Sequence, residues 1–88
     1  MTERTVAVGS SEGLHARPAK LFVQAAQASG IPIRVSKSGG TPVDAASLLS
    51  VISLGIGQGE SVTLSAVGEE SEHVIRRLVE ILEKNHDE

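Results

Sequence analysis

An α+β architecture, with one antiparallel sheet covered on one side by helices, follows from three patterns in this 88-residue chain. Short segments alternate apolar and polar side chains at period two, as strands with one face in a core and the other in water do. Other segments carry apolar side chains at helical spacing. The two kinds interleave in the order β-α-β-β-α-β-α with no internal repeat and no linker, which predicts a layer of helices on a one-sided sheet. At this length, 1–88 forms a single small domain burying about 60 to 65 per cent of the surface its unfolded chain exposes, too little for a deep cleft.

In residues 3–8, Arg4, Val6 and Val8 fall on one side and Glu3, Thr5 and Ala7 on the other, a first strand with Val6 and Val8 inward. Gly9 to Gly13 is loop. From Ala16 to Ala28 the apolar positions 18, 21, 22, 25, 26 and 28 recur at helical spacing, and Ser29-Gly30 supplies a stop. Pro18 suits the first turn because it has no N–H to lose. Ile31, Ile33 and Val35 alternate with Pro32, Arg34 and Ser36 in a second strand, with the missing N–H of Pro32 facing away from any neighbour. Lys37 to Gly40 is a turn, and Thr41-Pro42-Val43 a short third strand. Asp44 to Ser47 leads into a short helix over Leu48 to Leu54, ended by the glycine-rich 55–59. Residues 60–67 alternate cleanly, with Val62, Leu64 and Ala66 on one face. Over Glu69 to Lys84, Val74, Ile75, Leu78, Val79 and Leu82 form one stripe, and Glu72, Arg76, Glu80 and Lys84 an i,i+4 ladder. That ladder reads as a solvated face, and Glu69, Glu70 and Glu72 near the positive helix end and Lys84 near the negative one complement the dipole.

Composition excludes several functions. Eight basic residues against eleven acidic give a formal charge of −3, so nothing draws the chain to nucleic acid. Phe22 is the only aromatic residue, which leaves no stacking platform for bases. With no cysteine there is neither a disulfide nor a thiolate metal site, which suits a reducing compartment. No apolar run approaches the roughly 20 residues of a membrane span, and the start does not read as a signal peptide; the expectation is a soluble, unprocessed cytoplasmic protein.

The segment Gly13-Leu14-His15-Ala16-Arg17-Pro18-Ala19 carries the chemistry. His15 falls at or beside the N-cap of the first helix, where N–H groups lack carbonyl partners and the dipole is positive, a place for an anion on the imidazole. Ala16 and Pro18 form the backbone around that anion, and Arg17 adds a permanent charge. An imidazole attacks phosphorus only while neutral, and a free pKa near 6.5 leaves about three quarters of it neutral at pH 7. His73 and His86 have no ligand partners at metal spacing, so no metal is assigned. Gly55, Gly57 and Gly59 do not follow a strand in a G-x-G-x-x-G frame, so no nucleotide cradle is assigned either.

The same seven residues resemble the active-site segment of the HPr family, the histidine-containing phosphocarriers of the bacterial phosphoenolpyruvate-dependent sugar phosphotransferase system. The resemblance covers essentially the whole chain: Ser47 to Ile56 is similar to the family's second helix, and Gly59-Glu60 precedes a final strand and long helix. It implies an open-faced sandwich of four antiparallel strands under three helices, no cofactor, and a phosphoryl group carried on Nδ1 of His15 with Arg17 stabilising it. It implies enzyme I as phosphoryl donor, the A domains of sugar permeases as acceptors, and a monomeric carrier without substrate turnover of its own. Lys20, Leu48, Leu49 and Ile52 match a partner-docking patch. Ser47 matches a serine that an HPr kinase phosphorylates in some members; the same residue is suited to capping the second helix. Three functions stay open at this point: the sugar-system phosphocarrier, a regulatory HPr-like protein of the nitrogen-type branch, and a small-ligand α+β module.

Overall fold

The computed structural model describes residues 2–9, 13–14 and 16–84. Four strands, β1 (Thr2–Ala7), β2 (Ile33–Lys37), β3 (Val43–Asp44) and β4 (Ser61–Ala66), and three helices, α1 (Ala16–Ser29), α2 (Leu48–Ser53) and α3 (Ser71–Glu83), follow in the expected order. The strands form one sheet ordered β1-β4-β2-β3, antiparallel at every neighbouring pair. β1 and β2 both run against β4, so they are parallel to each other with β4 between them, and α1 is the crossover that joins them. By the same reasoning α2 carries the chain from β3 across β2 to β4. Two interlocked crossovers thus build an antiparallel sheet from β-α-β units.

Register follows the side-chain alternation. Val6 lies opposite Val62, and Val35 opposite Leu64, so the apolar members of three strands share the face beneath the helices. Val6, Val8, Ile33, Val35, Val62, Leu64 and Ala66 are all buried. The opposite face is mostly polar, with Thr5 and Thr63 joined hydroxyl to hydroxyl at 3.0 Å.

Helical stripes close the core, with one rotation from the expected pattern. α1 buries Pro18, Ala19, Phe22, Val23 and Ala26, whereas Leu21 and Ala25 are half-buried and Ala28 is exposed. The buried set follows i, i+1, i+4, i+5, i+8; neighbouring apolar residues were available on both sides of the stripe, and packing against α2, α3 and the shared core chose between them. Gly30, at φ 74°, ends the helix in the left-handed conformation. In α3, Ser71, Ile75, Leu78 and Leu82 are buried, while Val74 and Val79 flank them half-buried. The Ser71 hydroxyl meets Thr2 Oγ1 at 2.8 Å, tying the start of α3 to β1.

Several boundaries differ from expectation. The second strand begins at Ile33, leaving Ile31 and Pro32 before it, so the missing N–H of Pro32 costs no ladder bond. The third strand is Val43–Asp44 rather than 41–43, because Val43 and Asp44 pair with Val35 and Arg34 while Thr41 and Pro42 remain in the turn. α3 starts at Ser71, so Glu69 and Glu70 precede it and only Glu72 stands in its first turn, and Lys84 is the C-cap with extended backbone. Within the expected ladder only Glu72 and Arg76 approach as an ion pair, at 3.8 Å on an exposed face, a contact worth a few tenths of a kcal/mol.

Candidate functional site

His15 lies outside the described residues, as does His86, but both chain neighbours of His15 are placed. Leu14 is fully buried, and its N–H donates to the Ile56 carbonyl at 2.9 Å. Ile56 is itself fully buried. Gly13 makes this approach possible: it adopts φ 70°, and a Cβ built on it would overlap the Ile56 carbonyl oxygen and come within 2.7 Å of Gly57 Cα. The segment before position 15 is thus held against the 56–57 peptide by a hydrogen bond, an apolar side chain and a steric fit.

On the other side of position 15, α1 begins at Ala16. The N–H groups of its first turn have no acceptor within the helix, and Pro18 contributes none to satisfy. No acidic residue stands in that turn, so nothing on the helix itself offsets the positive end of its dipole. Pro18 is buried and faces the core, whereas Arg17 and Lys20, three positions apart on the helix, are exposed. Among the described residues no carboxylate forms an ion pair with Arg17.

α2 runs antiparallel to α1 beside it. Gln27, near the end of α1, donates its side-chain amide to the Ala46 carbonyl just before α2, at 2.9 Å. Leu14, just before α1, binds Ile56, just after α2. The end of α2 therefore lies toward the start of α1, and Ile52 sits closer to the site than Leu48 along the pair. Leu48, Leu49 and Ile52 are exposed, Leu49 at 80%; Val51 alone anchors the helix in the core. Three large apolar side chains in the solvent on six helical residues form a patch that burial does not explain. Ser47 caps α2, its Oγ accepting from the Ser50 N–H at 3.4 Å with extended backbone at the cap.

Sequence reasoning missed the loop that supports the site. Gly57 N–H donates to Glu60 Oε1 at 2.8 Å, and Glu60 N–H donates to the Gly57 carbonyl at 3.2 Å. Glu60 Oε2 pairs with Lys37 Nζ at 3.2 Å. The Gly57 hydrogen bond foremost, and Lys37 beside it, hold the Glu60 carboxyl below the usual glutamate value. The cue available in sequence was the Gly57-Gln58-Gly59-Glu60 turn, but its partner residues are distant in the chain. Gly59 N–H reaches the Val8 carbonyl at 2.8 Å, and Gly9 N–H the Leu82 carbonyl at 2.9 Å, so the same loop is fastened to the end of β1 and, through it, to α3.

Two shallow depressions flank Arg34 at the start of β2, lined between them by Pro32, Ser65, Val67 and Asp44 among others. Neither includes a residue of the 13–20 segment. Among the described residues, no group of three His, Asp or Glu could hold a metal ion, and no helix is long and apolar enough to cross a membrane.

An open-faced sandwich with a surface helix start, an exposed arginine and an exposed apolar patch on the neighbouring helix fits the class of small phosphocarrier domains. A family model described as the PTS HPr component phosphorylation site matches residues 2–84. The phosphocarrier protein HPr of Streptomyces coelicolor is 46% identical over 88 residues, spanning 100% of this chain and 95% of that protein. The HPr-like protein Crh of Halalkalibacterium halodurans is 38% identical over 84 residues, 96% of this chain and 99% of that protein. Among solved structures, HPr from Thermoanaerobacter tengcongensis superimposes with a TM-score of 0.91 at 42% identity, covering 100% of this chain and 98% of that one. This chain belongs to the HPr family, the phosphocarriers of the phosphotransferase system.

Proposed function

We propose that residues 1–88 act as one carrier domain in which Nδ1 of His15 takes a phosphoryl group from phospho-enzyme I and passes it to the A domains of sugar permeases. The ring nitrogen's lone pair forms the N–P bond as the bond to the donor group breaks; in the second transfer the acceptor attacks and the imidazole leaves. The protein turns over no substrate of its own, works as a monomer in the cytoplasm, and needs no cofactor. The observation that carries this reading is the pinning of Leu14 to Ile56 immediately before position 15, with the start of α1, whose first-turn N–H groups have no acceptor within the helix, immediately after it. That arrangement gives a phosphoryl group fixed donors on a surface open to large partners.

Stabilisation must stay moderate, because a carrier that holds phosphate too firmly cannot pass it on. A helix terminus contributes on the order of 0.3 to 1 kcal/mol, and one charge-assisted hydrogen bond from Arg17 roughly 1.5 to 3. Lys20 and the Leu48, Leu49 and Ile52 patch dock partners beside the site. A kinase-regulator acting on Ser47 would add charge at the start of α2, where the dipole favours it.

Incubation with enzyme I and phosphoenolpyruvate should yield an acid-labile, base-stable phosphate on His15 that then moves to a permease A domain. No label defeats the proposal; a label that no A domain accepts favours the regulatory, nitrogen-type reading. Arg17→Lys keeps the charge but loses the planar fork, and should slow transfer without abolishing it; unchanged transfer kinetics would show that the guanidinium geometry is dispensable.

A further inference from the structure

One peptide group joins a charged pair to the segment that immediately precedes His15. The Ile56 carbonyl and the Gly57 N–H belong to the same planar amide. Its oxygen accepts the Leu14 N–H at 2.9 Å, and its N–H donates to Glu60 Oε1 at 2.8 Å. The other carboxylate oxygen of Glu60 faces Lys37 Nζ at 3.2 Å. The chain of groups therefore runs from an ammonium, through a carboxylate and an amide, to the backbone of Leu14.

We propose that Glu60 is a positioning residue for phosphoryl transfer: its carboxylate fixes the orientation of the 56–57 peptide plane, and that plane sets the backbone of Leu14 and so the place of His15. Three features of the geometry support this. Gly57 has no side chain to resist rotation of the amide, so the orientation depends on what its two ends bind. Rotation would break both hydrogen bonds at once, and the bond to a charged acceptor is the stronger of the two. A carboxylate accepting from the N–H also polarises the amide and makes its carbonyl a better acceptor for Leu14. Glu60 is ionised at neutral pH, since both of its partners favour the charged form. The side chain is half-exposed and outside the apolar core, so it can be replaced without opening a cavity.

The inference rests on the phosphocarrier reading, and the test separates the two. Glu60→Ala removes the acceptor; Glu60→Gln keeps an oxygen for the Gly57 N–H and removes the pair with Lys37. In the unphosphorylated protein, amide exchange at Leu14 relative to Val35 should accelerate about tenfold in Glu60→Ala and much less in Glu60→Gln. In transfer from phospho-enzyme I, kcat should fall about fivefold in Glu60→Ala with KM changed less than about twofold, and Glu60→Gln should recover most of it. Wild-type exchange at Leu14 in Glu60→Ala would overturn the proposed lock. Faster exchange with wild-type kcat would overturn the positioning role. Absence of phosphorylation in the wild-type chain would instead overturn the carrier reading, while the exchange result still decides whether Glu60 holds the peptide.

Discussion

Replacing Gly13 by alanine tests whether the close approach before His15 is a structural requirement. Gly13 adopts φ 70°, a conformation that costs an L residue about 1 to 2 kcal/mol. The added methyl also overlaps the Ile56 carbonyl oxygen and comes within 2.7 Å of Gly57 Cα, both backbone atoms that cannot swing aside as a side chain would. Relief requires moving the loops apart and weakening the Leu14–Ile56 hydrogen bond, whose net worth is about 0.5 to 1.5 kcal/mol. The expected loss is about 2 to 4 kcal/mol, against a total stability of about 4 to 13 for a chain of this size. With a urea slope of about 1 kcal/mol per molar, the midpoint should fall by about 2 to 4 M. Because Phe22 is the only aromatic residue, far-UV circular dichroism is the practical probe. Gly30→Ala supplies the comparison: φ is 74°, but nothing lies within 4 Å of an added Cβ. Its loss should be the conformational penalty alone, about 1 to 2 kcal/mol. Equal midpoints for the two variants would refute the reasoning, since they would show that the Ile56–Gly57 peptide yields freely.

Phe22→Ala removes the largest fully buried side chain and should cost about 3 to 5 kcal/mol, enough to leave part of the population unfolded at 37 °C, measured by the same denaturation. Glu60 makes stability depend on pH in a defined direction. Its folded-state pKa is lowered, so its contribution is present above the ordinary value of 4.5 and is lost as pH falls below it; Glu60→Gln should flatten that part of the stability profile, and an unchanged profile would count against the Gly57 and Lys37 contacts. Leu49→Ser, at a side chain 80% exposed, should leave the stability within about 0.5 kcal/mol while raising KM for phosphoryl acceptors. A variant that lost stability instead would show Leu49 to be part of the core.

Much of this fold was legible because burial imposes a period. In β4 the alternation of Val62, Leu64 and Ala66 with Ser61, Thr63 and Ser65 identified both the strand and its buried face. Ser47 was readable as a helix start because a hydroxyl before an apolar run satisfies an orphan N–H, and it does so at Ser50. Periodicity failed where a short element is set by its partner: β3 is two residues long, and only its pairing with Arg34 and Val35 places it at Val43–Asp44. It failed again on α1, where apolar residues on both sides of the stripe allow more than one choice and packing against α2, α3 and the shared core selects the one through Ala19 and Val23.

At the site, chain order alone put a histidine, an arginine and a proline at the opening of a helix, because those are local properties of consecutive residues. Only tertiary structure brought Ile56 and Gly57 against Gly13 and Leu14, and Glu60 against Lys37, across gaps of more than twenty residues. Side-chain patterns reflect which face is buried, whereas a backbone hydrogen bond between two loops has no residue type of its own and leaves no period to read.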